Sequence, residues 1–305
     1  MTLASGNRIG IDLGGTKIEI AVLDGSVQCV LRERQTTPQG DYAATLRCIV
    51  DMVAGVEARF AEKMSIGIAT PGAMSNGKLK NSNSVCLNGK PLQIDVEAAL
   101  KRPIRLSNDA NCLALSEAMD GHAQGYAVVF AVIIGTGTGA GVVVQQQLLL
   151  GANAIAGEWG HNPLPWSSLA DLPHIDCYCG KNTCIETYLS GPGFAQRFND
   201  IVQGEYRPEQ IVELAQHGDE LAVAHLDAYQ DRLARSLASV INILDPDVIV
   251  LGGGMANING LYDSVPKLWQ GYVFSDTVVT RLLAAKYGDS SGVRGAAMLW
   301  PTAPD

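Results

Sequence analysis

The sequence has little positive charge. It carries 22 Lys and Arg residues against 31 Asp and Glu residues, which gives a formal net charge of −9, and the basic residues form no long cluster. Nucleic acids and anionic membrane surfaces both require a basic face, so we expect neither as a partner. The first residues, MTLASGNRIG, lack the charged and apolar regions of a secretion signal, so we expect a cytoplasmic protein.

One stretch lacks charge altogether, since no Asp, Glu, Lys or Arg lies between Asp120 and Glu158. Residues 126–150 would be long enough to span a bilayer. The stretch nevertheless carries five polar Thr or Gln residues in VVFAVIIGTGTGAGVVVQQQLLL, with a glycine at every second position through its middle and β-branched runs on either side. We therefore predict two strands joined by a glycine turn rather than a membrane helix.

The same layout occurs near the N-terminus, where IGIDLGGTKIEIAVL places a Gly/Thr turn between two apolar strands, as AVIIGTGTGAGVVV does. This internal repeat indicates two related halves. The sequence has 47% hydrophobic residues and 33 Gly, a composition typical of a loop-rich α/β protein. Apolar patterns predict further strands at 64–70, 104–106 and 248–251, and helices at 41–63, 93–102, 110–119 and 231–244.

No phosphate-binding loop of the G-x-x-x-x-G-K-[ST] type occurs. Three other glycine-rich loops could present backbone N–H groups to a nucleotide, and they are Gly14-Gly15-Thr16, Gly135-Thr136-Gly137-Thr138-Gly139 and Gly252-Gly253-Gly254. Each loop taken singly is also explained as a tight turn. Gly135, Gly137 and Ala140 fit a dinucleotide fingerprint formally, but the strand-like GVVVQQQLLL follows where that motif requires a helix.

A metal site is indicated by His161 together with Cys177, Cys179 and Cys184. Three thiolates and one imidazole form a closed tetrahedral zinc site, which would be structural because no position remains for water. The alternative is that these residues are ordinary thiols or disulfide partners, and disulfides would require an oxidising compartment. Cys29, Cys48, Cys86 and Cys112 are scattered without metal-like spacing, so we interpret them as small buried hydrophobic residues.

The motifs DLGGTK, NDANC, GTGTGAG, GEWGH, CYCGK and VIVLGGG occur in this order. The chain thereby resembles the ROK family of sugar kinases and sugar-responsive repressors over nearly its whole length. HNPLPW, NSNSVCLNGKPL and GDSSGVRGAA resemble most the bacterial fructokinase branch, also described as mannofructokinases. The resemblance implies an α/β actin-like ATPase (RNase H-like) fold with two lobes and a central cleft, the lobes comprising residues 1–118 plus 293–305 and residues 119–292.

The resemblance also assigns roles to individual residues. It implies ATP and Mg²⁺ as cofactors, with Asp12 holding hydrated Mg²⁺ and Gly252–254 facing the adenosine. The implied nucleotide-binding residues are Gly10, Asp12, Gly14, Gly15, Thr16, Lys17, Gly135, Thr136, Gly137, Thr138, Gly139, Gly252, Gly253 and Gly254. The implied sugar-binding residues are Asn108, Asp109, Glu158, His161 and Glu186, and the implied ligands of a structural Zn²⁺ are His161, Cys177, Cys179 and Cys184.

Asp109 matches the catalytic base of the family, which takes the proton of the attacking sugar hydroxyl. Its alternative role is a helix N-cap, for which Asp and Asn are both preferred. His161 would bind zinc through one ring nitrogen and donate through the other to a sugar oxygen or a carboxylate. Thr183 stands where family members usually have Gly, so this turn would hold a non-Gly residue in a strained conformation.

We predict ATP-dependent phosphorylation of D-fructose to fructose 6-phosphate. Mannose, glucose and N-acetylhexosamines are the alternative acceptors, because a few hydrogen bonds decide between them. A sugar-sensing repressor is disfavoured by the acidic charge and by the short segment before the first strand. A catalytically silent sugar-binding regulator is disfavoured by the presence of Asp109. The resemblance further implies a homodimer.

Overall fold

The computed structural model describes residues 6–82 and 84–300. The β-strands of this part of the chain are β1 Arg8–Leu13, β2 Lys17–Leu23, β3 Cys29–Thr36, β4 Ser65–Thr70, β5 Ala73–Ser75, β6 Lys78–Lys80, β7 Arg105–Asn108, β8 Val128–Ile134, β9 Thr138–Val144, β10 Gln147–Leu148, β11 Val248–Gly252 and β12 Arg281–Ala284. The α-helices are α1 Tyr42–Phe60, α2 Leu92–Leu100, α3 Asp109–Met119, α4 Glu186–Leu189, α5 Gly191–Val202, α6 Pro208–Gln216, α7 Glu220–Leu244, α8 Leu261–Leu268 and α9 Ser291–Ala297.

These elements form two structural units. Among the described residues, unit 1 comprises 6–82, 84–121, 150–155 and 289–300, and unit 2 comprises 122–149 and 156–288. The division at 1–118 plus 293–305 and 119–292 stays a prediction.

The two units contain sheets with the same strand order. In unit 1 the order is β3-β2-β1-β4-β7, and in unit 2 it is β10-β9-β8-β11-β12. Each sheet has an antiparallel hairpin, β1–β2 or β8–β9, followed by two strands parallel to the first strand of that hairpin. The repeated hairpins predicted from the sequence thus occupy equivalent positions in the two sheets.

The side chains of β1 alternate between two helical layers. Ile9 and Ile11 point into an apolar core that includes Ile49 and Val53 of α1. Gly10 points to the opposite face, where a Cβ atom would lie 1.9 Å from the carbonyl oxygen of Val293 in α9. Glycine at this position therefore lets α9 pack directly on the strand.

The core of unit 2 lies between the β8–β9–β11 sheet and a group of helices. Phe130, Val132 and Ile134 of β8 pack in one cluster with Leu233, Leu237 and Ile241 of α7 and with Phe194 and Phe198 of α5. The helical spacing of the α7 residues predicted this face, but α7 begins at Glu220, about three turns before the predicted start at 231. Asp219 caps this start by accepting a hydrogen bond from the Ala222 N–H.

The predicted strand–turn–strand reading of residues 126–150 is confirmed by β8 and β9. Within residues 6–82 and 84–300, none of the helices combines the length and apolar character that crossing a bilayer requires.

Candidate functional site

Acidic and amide side chains gather at the carboxyl ends of the parallel strands in unit 1. Strand β1 pairs with β4 so that Asp12 lies opposite Ala69, and β4 pairs with β7 so that Thr70 lies opposite Asn108. Parallel strands with equal direction bring their carboxyl ends to one edge of the sheet, which is where α/β proteins bind ligands. Asp12, Asn108 and Asp109 are therefore brought to a single edge.

Asn108 and Asp109 divide two tasks at the start of α3. The Asn108 side chain is the N-cap and accepts a hydrogen bond from the Asn111 N–H at 2.7 Å. Asp109 is the first helical residue, and its Oδ1 accepts a hydrogen bond from the Ala110 N–H at 2.8 Å. Asn108, and not Asp109, is therefore the N-cap of α3, although Asn and Asp are about equally favoured at that position.

Asp12 and Asp109 also share a buried neighbour, Cys112 of α3. Burial raises the pKa of the Cys112 thiol, and the negative charges of Asp12 and Asp109 raise this pKa further. A Cβ atom on Gly292, near the start of α9, would lie 3.0 Å from the Asp12 Oδ2 atom. The Asp12 carboxylate is thus held between α3 and α9 at the edge of the sheet.

The turn between β1 and β2 is the first predicted phosphate loop. The Gly14 N–H donates to the Lys17 carbonyl at 3.0 Å, and the Gly14 carbonyl accepts a hydrogen bond from the Thr37 hydroxyl at 2.8 Å. Thr16 and Lys17 are exposed, and Gly14 and Gly15 are half-buried. Gly10 lies in β1 under α9, so close packing already accounts for glycine there, and its assignment to the nucleotide stays a prediction.

The turn between β8 and β9 is the second predicted phosphate loop. It comprises Gly135, Thr136 and Gly137, of which Thr136 is exposed and the two glycines are half-buried. The chain then enters β9 at Thr138 and Gly139. Thr138 is 5% exposed, and its hydroxyl has no hydrogen-bond partner among the described residues. A buried hydroxyl without a partner costs free energy, so this group is a candidate donor to a ligand.

The third glycine loop ends strand β11. Gly252 is the last residue of β11, which pairs in parallel with β8. Gly253 and Gly254 then lead into a short helical turn at Gly254–Asn257. The loop therefore follows the carboxyl end of a parallel strand in unit 2, the type of position where ligands bind in α/β sheets.

Three predicted sugar-binding residues are neighbours in unit 2. Burial raises the pKa of Glu158, an effect that His161 opposes and the Glu186 carboxylate reinforces. The Glu186 Oε2 atom accepts a hydrogen bond from the Thr138 N–H at 2.8 Å. The carboxylates therefore lie in a shared electrostatic environment, and one of them contacts the second glycine loop, a contact that the sequence did not reveal.

The predicted metal ligands come together in unit 2. One ligand atom each from His161, Cys177, Cys179 and Cys184 lies within 4.8 Å of the others. The His161 Nδ1 to Cys177 Sγ distance is 3.6 Å, as is the Cys179 Sγ to Cys184 Sγ distance. Zinc–ligand bonds of about 2.0–2.3 Å place tetrahedral ligands roughly 3.5–3.8 Å apart, so the donor set fits zinc.

The second ring nitrogen of His161 contacts a tyrosine, a partner that the sequence does not reveal. Its Nε2 atom lies 3.1 Å from the hydroxyl of Tyr178, and the two rings meet edge to face. We expected a sugar oxygen or a carboxylate there. Tyr178 stands between two of the candidate cysteine ligands and is 67% exposed. Burial raises the pKa of its hydroxyl, and nearby charges that include Glu186 and Glu158 raise this pKa further, so the hydroxyl lies near the predicted sugar-binding residues.

Thr183 adopts a left-handed backbone conformation, with φ of 60°. This agrees with the strain expected where the family usually has Gly. A β-branched residue is an outlier in this region of φ and ψ, because its Cβ approaches the backbone. The turn nevertheless places Cys184 beside the other three candidate metal ligands.

A buried ion-pair network holds the segment between His161 and Cys177. Asp171 is 1% exposed and accepts hydrogen bonds from Arg232 Nε at 2.8 Å and Arg235 at 3.1 Å. Burial would raise the pKa of Asp171, but the hydrogen bonds from Arg235 and Arg232 outweigh it and lower the pKa to about 2. No local pattern predicts this network, because Asp171 lies 61 and 64 residues from Arg232 and Arg235 in the sequence.

Comparisons with known proteins agree in one family. The model of the ROK family matches residues 8–303. The N-acetyl-D-glucosamine kinase of Shigella flexneri is 40% identical over 296 residues, which cover 95% of this chain and 98% of that protein. The crystal structure of a ROK hexokinase from Thermus thermophilus superposes with a TM-score of 0.85 at 29% identity, covering 96% of this chain and 97% of the other. A ROK family glucokinase from Streptomyces griseus, solved with glucose and AMPPNP, gives a TM-score of 0.77 at 26% identity and covers 96% and 99% of the two chains.

Proposed function

Because the chain belongs to the ROK family, whose fold is the actin-like ATPase fold predicted from the sequence, we propose that it transfers the γ-phosphoryl group of ATP to the C6 hydroxyl of a hexose. The observation that carries this proposal is the pair of carboxylates, Asp12 and Asp109, at one edge of the unit 1 sheet. Phosphoryl transfer needs one carboxylate to bind the metal and another to accept a proton, and both types of position are present.

Asp109 is the proposed general base. It accepts the proton of the sugar hydroxyl while that oxygen forms a bond to the γ-phosphorus and the bond to the bridging oxygen of ADP breaks. The proton ends on Asp109, and the electron pair of the broken bond ends on ADP. The Ala110 N–H fixes one carboxylate oxygen at 2.8 Å, which orients the side chain for this transfer.

The glycine loops are the proposed phosphate and adenosine contacts. Backbone N–H groups in the turns at Gly14–Lys17 and Gly135–Gly139 would donate to phosphate oxygens, and Gly252–Gly254 would face the adenosine. Asp12 would hold hydrated Mg²⁺, which supplies charge neutralisation when bound. The orphan hydroxyl of Thr138 would supply a further donor.

The proposed sugar contacts are Asn108, Glu158, His161 and Glu186, with a structural zinc held by His161, Cys177, Cys179 and Cys184. Burial raises the pKa of the Cys184 thiol well above its ordinary value, so zinc binding must displace a proton from it. The zinc would fix the geometry of the segment that carries Glu158 and Glu186, because its closed donor set leaves no position for catalysis.

N-acetyl-D-glucosamine is the acceptor that the curated relatives support, since kinases of that name are 38–40% identical to this chain. D-fructose, the acceptor predicted from the sequence, remains a second candidate because of the motifs HNPLPW and GDSSGVRGAA. Acceptor choice depends on a few hydrogen bonds, so it diverges more readily than the shared reaction.

The test is release of ADP from Mg²⁺-ATP with purified zinc-replete protein and equal concentrations of N-acetyl-D-glucosamine, D-fructose, D-mannose, D-glucose and N-acetyl-D-mannosamine. We expect turnover with at least one of these sugars and phosphorus on its C6 oxygen, as read by ³¹P and ¹³C NMR of the product. A preference for fructose would reverse our order of acceptors. Absence of turnover with all five sugars would refute the proposed function.

A further inference from the structure

Glu186 reaches from the predicted sugar site to the turn between β8 and β9. It is the first residue of α4, two positions after the zinc ligand candidate Cys184. Its Oε2 atom accepts a hydrogen bond from the Thr138 N–H at 2.8 Å, which fixes the last donor of that turn. A carboxylate acceptor makes this a charge-assisted hydrogen bond, a stronger class than neutral pairs.

The space beside the Glu186 carboxylate is open only because residue 137 is glycine. A Cβ atom on Gly137 would lie 2.7 Å from Oε2, closer than such atoms approach in practice. Oε2 is the end of a flexible side chain, so an alanine at 137 would displace the carboxylate rather than the backbone. Glycine at 137 therefore preserves the contact between Glu186 and the turn.

The same short segment holds the turn at a second point. The Gly191 N–H donates to the Gly135 carbonyl at 2.8 Å. Glu186 and Gly191 therefore hydrogen-bond to the two ends of the turn, at Thr138 and Gly135. The Gly191 contact is made by the backbone and carries no charge. The Glu186 contact alone involves a side chain that is also a predicted sugar ligand, and its Oε1 atom has no hydrogen-bond partner among the described residues.

We infer that Glu186 is a positioning residue that couples sugar binding to nucleotide binding, a role that rests on the proposed function. A sugar hydroxyl that donates to Oε1 fixes the carboxylate and thereby the Thr138 end of the turn. The same hydrogen bond disperses negative charge that would otherwise repel the phosphates. Both effects make nucleotide binding tighter when sugar is bound, and linkage requires the reciprocal effect on the sugar.

The experiment measures the Kd of Mg²⁺-AMPPNP by calorimetry without sugar and with a saturating concentration of the hexose that gives the fastest turnover. For the unmodified protein we expect sugar to lower this Kd by about fivefold or more. In Glu186→Gln, which keeps the size of the side chain but removes its charge, the ratio should fall to within about twofold of unity. Gly137→Ala should lose the coupling in the same way, with Glu186 retained.

Glu158→Gln is the matched control, since Glu158 is a neighbouring carboxylate with no hydrogen bond to the turn among those the structure gives it. It should weaken sugar binding and keep the ratio of nucleotide Kd values. A ratio that is unchanged in Glu186→Gln, or lost equally in Glu158→Gln, would overturn the inference. The inference would also be overturned if the protein phosphorylated a hexose but bound AMPPNP with the same Kd in the presence and absence of that hexose. That result would not contradict the proposed function.

Discussion

Replacement of Thr183 by glycine should stabilise the protein relative to replacement by alanine. Thr183 has φ of 60°, a conformation whose steric contacts destabilise an L-residue by about 1–2 kcal/mol relative to glycine. Glycine loses about 0.5–1 kcal/mol relative to alanine through its greater freedom in the unfolded chain. The difference predicts that Thr183→Gly is more stable than Thr183→Ala by about 0.5–1 kcal/mol.

The comparison of glycine with alanine isolates the backbone term, because both variants remove the threonine methyl and hydroxyl groups. The measurement is the free energy of unfolding from urea titration in a buffered excess of zinc, so that both variants keep the metal. Asn182 provides the control pair, since it is exposed and does not share the positive φ of its neighbour. There the order should reverse, with alanine more stable than glycine.

If Thr183→Ala proved as stable as Thr183→Gly or more stable, the reasoning about strain at this turn would be wrong. A larger advantage of glycine than about 2 kcal/mol would also contradict the estimate, since it would exceed the whole cost of the left-handed conformation.

The further predictions concern the base, the ion-pair network and the metal. Asp109→Asn should lower kcat by about 10²–10⁴-fold with the sugar Kd little changed, as measured by ADP release and calorimetry; near-normal turnover would show that another group is the base. Asp171→Asn should destabilise the protein by about 3–5 kcal/mol in urea unfolding because it removes the buried negative charge that pairs with Arg232 and Arg235, whereas Asp231→Asn, at a more exposed carboxylate, should cost about 1 kcal/mol or less. Because the pKa of Asp171 is depressed to about 2, its contribution of about 2 kcal/mol should be complete above its unfolded pKa near pH 4 and be lost as the pH falls toward 2. Cys184→Ser should lower the zinc content measured by mass spectrometry, and the zinc affinity of the unmodified protein should fall at acid pH; a zinc content equal in both proteins would remove Cys184 from the ligand set.

The regular elements could be predicted because their signals are local. Strand β1 was predicted, since alternating apolar residues lead directly into a glycine turn. The helix at 110–119 was likewise predicted within one residue of α3. Whether Asn108 or Asp109 caps that helix could not be predicted, because the two side chains have nearly equal preference for the position and only their placement in the fold decides.

The hydrogen bonds that hold the predicted sugar-binding segment could not be predicted, because they join residues that are distant in the sequence. The hydrogen bond from Thr138 to Glu186 spans 48 residues, and those of Arg232 and Arg235 to Asp171 span 61 and 64. The region from 149 to 185 contains only short helical turns and bridges, so no period in its apolar residues reports its shape. The four metal ligand candidates were the exception, since their residue types reveal them without any regular structure.

The proposed phosphate contacts and the proposed sugar contacts are held in place by different kinds of interaction, so the reaction and the choice of sugar differ in how readily substitutions change them. The proposed phosphate contacts lie in hairpins whose geometry is set by sheet pairing and by close packing of the backbone. The proposed sugar contacts Glu158, His161 and Glu186 lie close to the four candidate metal ligands, a buried ion pair and side-chain hydrogen bonds, each of which one substitution can alter. Tyr178 is an example of such a side chain. Its hydroxyl lies within hydrogen-bond distance of the His161 ring nitrogen that was expected to contact the sugar. Proteins at 38–40% identity can therefore share the hairpins, and with them phosphoryl transfer, while differing in the side chains that are proposed to contact the sugar.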